Sequence, residues 1–249
     1  MVAAVRRDTE GTVLLAVAAV VFNLVFSGAF QSYVRTGLGI PVLVSALVLA
    51  GVALPSVFRR TEVVSTGTED LLDHDHVHGN LVGRVGMVML LPVLTVFLIA
   101  PAPLGAFVAD RGDQNRSVSG ATATGLESLG SPVDGAVEAS VREFLLRAYH
   151  EPDQVEGVPV RIIGFVVPHD DLSDGYLLTR FTFSCCAADA IPLQIALTGV
   201  GTVPPTDQWV TVEGTWEGAF VELEDDLPVP VLATATQAPT EQPQQPYDY

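Results

Sequence analysis

The sequence contains no lysine and only two cysteines, and just 16% of its 249 residues are charged. The cysteines are adjacent, Cys185 and Cys186, so the chain has no Cys-x-x-Cys redox motif. Two thiols alone cannot complete a structural zinc site, which normally takes four ligands. No lysine ammonium group is present to lower a thiol pKa and make that thiol reactive. A recognisable catalytic triad, an H-E-x-x-H motif and a phosphate loop are also missing. These absences predict a protein that is not an enzyme.

The charge that is present is acidic and unevenly distributed. The mean hydropathy is positive, +0.40, although the formal net charge is −17. Residues 1–107 contain 7 acidic side chains against 6 arginines, whereas residues 108–249 contain 22 acidic side chains against 6 arginines. The sequence therefore predicts an apolar N-terminal half and an acidic C-terminal half. Because the acidic half repels phosphate backbones, nucleic acid is excluded as a partner.

Three uncharged stretches occupy the N-terminal half, at residues 11–34, 36–58 and 85–108. Each is about 23 residues long, and a helix needs about 20 apolar residues to cross a bilayer. The first stretch is also longer than the apolar region of a signal peptide, which runs to about 15 residues. We therefore predict a transmembrane region at residues 1–108 with three membrane-spanning helices, in a multi-pass protein of the cell membrane.

The placement of the arginines predicts the orientation of these spans. Arg6 and Arg7 precede the first span, and Arg59, Arg60 and Arg84 lie between the second and the third. Positively charged side chains accumulate on the cytoplasmic side of membrane proteins. We therefore expect residues 59–84 in the cytoplasm and the C-terminal domain on the extracytoplasmic side.

Three of the five histidines lie in the loop of residues 59–84, interleaved with carboxylates in the run Asp73, His74, Asp75, His76, Val77 and His78. In an extended segment, the three imidazoles lie on one face. Imidazole nitrogen and carboxylate oxygen atoms bind divalent transition metals, zinc among them. The alternative is a solvated polar loop without a site, because a short His-rich tract is only a compositional signal.

The acidic half begins with a predicted flexible linker at residues 109–133, which is rich in Gly, Ser, Ala and Thr. Ser140 and Glu143 match a capping box ahead of apolar residues at helical spacing, which predicts a helix over residues 140–149. Alternating apolar residues then predict strands at 158–167, 176–183, 193–197, 209–216 and 229–234.

Short strands at this spacing are typical of a small barrel or sandwich. We predict a mainly-β soluble domain over residues 134–235, arranged as an OB-like barrel. The Gln- and Pro-rich residues 236–249 are predicted to form a disordered tail.

Cys185 and Cys186 follow a predicted strand and lie close in sequence to Arg180 and Asp189. In a regular strand, adjacent side chains face opposite ways, so one thiol is expected in the core and the other at the surface near Asp189. A vicinal disulfide is an alternative, although neighbouring Cα atoms about 3.8 Å apart are closer than disulfides prefer. Another alternative is that both residues are small apolar groups near a turn. Arg180, Cys185, Cys186 and Asp189 are candidate ligand-binding residues, with His169 as a further candidate metal ligand.

Four segments of the acidic half resemble the C-terminal domain of the bacterial YcgQ-like family, namely Gly164-Phe165-Val166, Arg180-Phe181, Cys-Cys-Ala-Ala-Asp-Ala at 185–190 and Trp-Val-Thr-Val-Glu-Gly at 209–214. The resemblance implies a subunit of a two-component membrane permease whose partner is a larger multi-span permease. It also implies a link to zinc homeostasis, because some members have one. It supplies no catalytic residue.

Two classes of function fit these observations. The first is a non-catalytic accessory subunit of a two-component permease, embedded in the lipid bilayer and linked to zinc or another divalent metal. The alternative is an extracytoplasmic thiol enzyme or redox sensor that uses Cys185 or Cys186. A membrane-anchored structural domain is the remaining hypothesis. The missing catalytic motifs favour the first.

Overall fold

A computed structural model describes residues 2–58, 95, 104–111, 129–223 and 227–249. The chain divides into two compact units. The N-terminal unit contains residues 1–30 and 36–101, and the C-terminal unit contains residues 31–35 and 102–249. The predicted metal-binding run at residues 73–78 lies outside the described residues.

The described part of the N-terminal unit includes the helices α1 (Val2–Phe26) and α2 (Gly39–Phe58). One stretch, Thr36–Pro55, is long and apolar enough to cross a membrane, with a mean hydropathy of 2.3. Only 11% of that stretch is buried, so its apolar side chains face outward, unlike those of a core helix. The uncharged part of α1, Gly11–Phe26, is shorter than a full span.

The predicted limits of the first and third spans are wrong. Helix α1 ends at Phe26, and Gly28 then adopts a positive φ of 77°, which breaks the helix before residue 34. Residues 104–108, predicted to end the third span, lie in the C-terminal unit, where Ala106–Ala109 forms a short helix, α3. The rest of the third predicted span, apart from residue 95, lies outside the described residues.

In its described residues, the C-terminal unit contains one longer helix and six strands. Helix α4 (Val141–His150) begins where the capping box predicts, and Ser140 Oγ accepts a hydrogen bond of 3.0 Å from the Glu143 N–H. The strands are β1 (Val137–Glu138), β2 (Pro159–Val167), β3 (Gly175–Thr182), β4 (Ile191–Thr198), β5 (Trp209–Val221) and β6 (Val229–Pro239). The predicted mainly-β domain is confirmed.

The strands form one sheet in the order β1-β2-β3-β4-β6-β5, with an additional pairing between β2 and β5. Most neighbours are antiparallel, but β1 runs parallel to β2 and β4 runs parallel to β6. Those two strands pair over only three residues, Ala196–Thr198 with Val231–Ala233, so the sheet is not a fully closed barrel. The finer expectation of an OB-like barrel stays a prediction.

Helix α4 packs its apolar face onto the sheet. Its buried residues Phe144 and Leu145 join a core cluster with strand residues such as Ile162, Leu178 and Trp216. The Phe144 and Trp216 rings meet edge to face, with centroids 6.3 Å apart. Burial of a large apolar side chain contributes about 1.5–3 kcal/mol, so this contact fixes the helix and places its N-terminus. A second cluster, around Phe165, Phe181, Phe183 and Tyr247, lies near the end of β3.

Two predicted domain limits are wrong. Residues 236–249 are ordered: Thr236–Pro239 belong to β6, while Tyr247 and Asp248 are buried. Composition misled here because the apolar contacts come from two tyrosines, Tyr247 and Tyr249, within a polar segment. The predicted linker also begins too early, since Ala109 is fully buried in α3.

Candidate functional site

The candidate site is the loop between β3 and β4, which contains Cys185, Cys186 and Asp189. Residues 187–189 form a single 3-10 turn, and Asp189 holds the chain that leads into it. Asp189 Oδ2 accepts hydrogen bonds from the N–H groups of Ser184 and Cys185, at 3.1 and 3.2 Å. Its Oδ1 accepts one from the Cys186 N–H at 3.1 Å. One carboxylate thus fixes the backbone of both cysteines.

Both cysteines are free thiols, and their sulfur atoms lie 3.6 Å apart. The expected division into one buried and one exposed thiol is wrong, because Cys185 is exposed and Cys186 is half-buried. The loop is not a regular strand, so strand alternation does not apply to it. Two thiolates on one tetrahedral zinc lie about 3.8 Å apart, given Zn–S bonds of about 2.3 Å. The observed separation therefore suits shared ligation of one ion.

The hydrogen bonds of the loop set its electrostatics. Burial raises the pKa of Asp189, but the N–H groups of Cys186, Cys185 and Ser184 outweigh it, so the pKa lies below its usual value. Asp189 is therefore ionised at neutral pH. The hydrogen bond with Cys186, together with burial and the charge of Asp189, raises the pKa of the Cys185 thiol. Cys185 is consequently a protonated thiol at neutral pH in the absence of a cation.

The loop brings three metal-binding groups together. One ligand atom each from Cys185, Cys186 and Asp189 lies within 4.8 Å of the others. Thiolate sulfur and carboxylate oxygen are both zinc ligands, and the carboxylate is oriented by hydrogen bonds, as ligating carboxylates usually are. Three protein ligands leave a fourth tetrahedral position open to water or to another donor.

The remaining sequence candidates lie elsewhere. Arg180 contacts the C-terminal segment, with Nη2 at 3.0 Å from Asp248 Oδ1 and 2.9 Å from the Gln245 carbonyl oxygen. Burial lowers the pKa of Arg180 and raises that of Asp248, while the pairing opposes both shifts. Arg180 is therefore a structural anchor. His169 accepts a hydrogen bond from the Asp171 N–H and is not among the three grouped ligands.

A chain segment far away in sequence supports the cysteine loop. Val34 and Cys186 form an isolated antiparallel β-bridge. The Arg35 N–H donates to the Cys185 carbonyl oxygen at 3.1 Å, and the Ala187 N–H donates to the Tyr33 carbonyl oxygen at 2.8 Å. Sequence reasoning missed this contact, because backbone hydrogen bonds between segments about 150 residues apart leave no local pattern.

A cleft of about 230 Å³ opens beside the same loop. Its lining includes the charged side chains of Arg35, Arg142 and Asp189, the hydroxyl residues Thr182 and Ser184, and Tyr249. The Arg35 guanidinium lies 5.3 Å from the centre of the Tyr249 ring, within the range of a cation–π contact. Sequence reasoning missed Arg35 and Arg142, which lie on segments that only the fold brings together.

Comparison with known families identifies the C-terminal part of the chain. Residues 139–249 match the family described as the DUF1980 C-terminal domain. The matched range contains the cysteine loop and the ordered C-terminal segment. It is consistent with a YcgQ-like domain of unknown function, whereas the permease context stays a prediction. Neither a curated protein nor a solved structure matches the chain.

Proposed function

We propose that the chain is a non-catalytic accessory subunit of a membrane permease, and that its C-terminal domain binds a thiophilic divalent cation such as Zn²⁺. The observation that carries the proposal is the grouping of Cys185, Cys186 and Asp189 with ligand atoms within 4.8 Å. Soft thiolates select zinc over magnesium or calcium. An open fourth position is typical of a site that accepts and releases an ion. A site that encloses its ion permanently normally has four protein ligands.

The thiol redox alternative is less well supported. Reactive cysteines have a lowered pKa because a cation or a helix N-terminus stabilises the thiolate. The pKa of Cys185 is instead raised, and the nearest charged group that shifts it is the carboxylate of Asp189. Cysteines that bind metal do not need a low pKa in the free state, because the cation itself displaces the proton.

We also propose the predicted topology of three spans, with the C-terminal domain on the extracytoplasmic side. Residues 31–35 connect α1 to α2, yet they belong to the C-terminal unit. If α1 and α2 cross the membrane, this connection and the C-terminal domain lie on the same side, and the chain must cross once more between residues 58 and 104. The apolar residues 85–108 are the segment available for that crossing.

For the C-terminal fold, the OB-like barrel remains our proposal. Strand β2 pairs with β3 and also with β5, over Pro159–Phe165 and Trp209–Thr215. Successive pairings thus lead from β2 through β3, β4, β6 and β5 back to β2. OB-folds are five-stranded barrels that remain partly open, which suits the short β4–β6 contact.

Zinc titration of the full chain in detergent tests the metal site, with a chromophoric chelator as competitor. The titrations are made in a variant that lacks the other predicted metal-binding segment, because it carries His74→Ala, His76→Ala and His78→Ala. In that background we expect Cys185→Ser and Cys186→Ser each to weaken zinc binding at least about tenfold, because a thiolate ligand is lost. Asp189→Asn is compared with a matched control, Asp170→Asn, which removes the same charge from an exposed position. Unchanged affinity in the Cys185→Ser, Cys186→Ser double variant would overturn the site.

The permease subunit hypothesis has its own test. The full chain, carrying an affinity tag, is purified from its native membrane after mild solubilisation. Stoichiometric recovery of one multi-span membrane protein is the expected result. Recovery of the chain alone, under conditions that preserve other membrane complexes, contradicts an accessory role.

A further inference from the structure

Arginines in the C-terminal unit are few, and three of the six that the structure describes are neutralised by carboxylates. Arg147 pairs with Glu143 at 2.9 Å, Arg161 with Glu213 at 2.7 Å and Arg180 with Asp248 at 3.0 Å. These pairs are expected in a domain with excess negative charge. Of the three described arginines without such a partner, Arg111 is exposed and lies over the Phe107 ring.

The other two, Arg35 and Arg142, lie at the same place. Within the described part of the chain, neither Arg35 nor Arg142 forms an ion pair, and both line the cleft beside the cysteine loop. Arg35 is held there by its backbone bond to Cys185, and Arg142 by the bond that its N–H donates to Asp248 Oδ2. Two separate segments thus bring Arg35 and Arg142 to one concave surface.

We propose that this cleft binds a compact oxyanion, of the phosphate or short carboxylate class, between Arg35 and Arg142. Planar guanidinium groups bind the oxygens of carboxylates and phosphates through paired hydrogen bonds. The hydroxyl groups of Thr182 and Ser184 on the cleft wall add neutral donors. A volume of about 230 Å³ accommodates an anion of this size.

The oxyanion site adjoins the proposed metal centre through Asp189, which lines the cleft and belongs to the metal-binding group. The negative charge of Asp189 opposes a second anion, and a cation bound to it removes that repulsion. Zinc therefore strengthens oxyanion binding, and the oxyanion strengthens zinc binding by the same factor. This coupling rests on the proposed metal function, whereas the oxyanion site itself does not.

Isothermal titration calorimetry of the full chain in detergent tests the site in metal-free buffer. Inorganic phosphate and succinate are the two probes, and they distinguish the phosphate class from the carboxylate class. We expect saturable binding of at least one probe, and an affinity at least tenfold lower in Arg142→Gln and in Arg35→Gln. Both variants keep the backbone hydrogen bonds of their residues. Arg111→Gln is the matched control, because Arg111 is exposed, lies over the Phe107 ring and does not line the cleft.

Saturation by neither probe overturns the oxyanion site, as does an affinity in Arg142→Gln equal to that in Arg111→Gln. Repeating the titration with micromolar zinc bound tests the coupling separately. A higher probe affinity in the zinc-bound wild type, lost in Cys185→Ser with Cys186→Ser, supports it. An unchanged probe affinity, with zinc demonstrably bound, overturns the coupling. If zinc does not bind at all, the metal function is overturned. The metal-free titration still decides the oxyanion site in that case.

Discussion

At the scale of single residues, Asp189 determines how the cysteines are presented. Its two oxygens accept three backbone N–H bonds from residues 184–186, so the carboxylate closes the loop and also faces the thiols. The sequence predicted that Cys185, Cys186 and Asp189 lie together, because they are close along the chain. It could not predict that neither thiol is buried, because that depends on the strand ending at Thr182, before the cysteines. Nor could it separate Arg180 from the group, since the partner of Arg180 is Asp248, 68 residues later.

The raised pKa of Cys185 predicts a strong pH dependence of zinc binding. A thiol that is protonated in the free protein must lose its proton to ligate, so zinc affinity rises with pH, by about tenfold per pH unit for each displaced proton. Zinc titrations between pH 6.5 and 7.5, in the background without His74, His76 and His78, measure the slope. The Cys185→Ser substitution should lower the number of protons displaced per bound zinc ion, which this slope measures, by about one. A slope that stays the same in that variant contradicts ligation by Cys185.

The buried pair of Arg180 and Asp248 predicts a large loss of stability when one partner is removed. Asp248→Ala leaves the Arg180 charge without compensation and removes the acceptor for the Arg142 N–H. Breaking a buried ion pair in this way costs about 3–5 kcal/mol. Asp248→Asn keeps an acceptor oxygen and should lose less. Trp209 and Trp216 are the only tryptophans and both lie in β5, so denaturation followed by tryptophan fluorescence reports on this unit alone. Equal losses in both variants would indicate that the retained acceptor oxygen contributes little, and a loss well below about 3 kcal/mol in both would contradict a stabilising role for the ion pair.

At the scale of secondary structure, local pattern predicted most of the elements and few of their partners. The alternation of apolar residues located β2, β3 and β4 to within two residues at each end, and the capping box located α4. Strand β1 was missed because two residues carry no periodic signal. The extension of β6 to Pro239 was missed because its polar residues are stabilised by pairing with β5, where Val210 faces Pro239. Pairing of this kind depends on tertiary structure and not on the sequence of the strand.

The ordered C-terminal segment predicts that Tyr247 is essential for the stability of the domain. Its ring meets Phe183 at 4.7 Å, and its hydroxyl accepts from the Leu104 N–H and donates to the Ser32 carbonyl oxygen. Tyr247→Ala should cost about 3–5 kcal/mol through the cavity it leaves. Tyr247→Phe keeps the ring and should cost about 1–3 kcal/mol for the unsatisfied polar groups. Tryptophan-monitored denaturation of the full chain gives both values. A negligible effect of Tyr247→Ala would restore the disordered tail.

At the scale of the whole molecule, composition predicted an apolar half and an acidic half. It did not predict that short segments within and at the end of the apolar half belong to the C-terminal unit. Residues 31–35 and 104–111 belong to the C-terminal unit, although apolar stretches flank the first segment and precede the second. Hydropathy alone assigned these residues to membrane spans or their connections. Their placement is determined instead by hydrogen bonds to residues that follow much later, namely Cys185 and Tyr247. The proposed topology therefore requires residues 31–35 and the cysteine loop to lie on the same side of the membrane.

Thiol labelling in intact cells tests that topology with the protein's own cysteines. Cys185 is exposed and the chain has no cysteine besides it and Cys186, so a membrane-impermeant maleimide, added with a chelator to free the thiols, should label the wild type from outside. Cys185→Ser with Cys186→Ser should remove the signal. In that background, Gly37→Cys should also be labelled from outside, because Gly37 is exposed, follows residues 31–35 and has space for a side chain. Ser65→Cys, in the loop expected in the cytoplasm, should be labelled only after permeabilisation. Labelling of Cys185 and Gly37→Cys from opposite sides of the membrane would be incompatible with the β-bridge between Val34 and Cys186. Labelling of both positions only after permeabilisation would show that the orientation is the inverse of the proposed one.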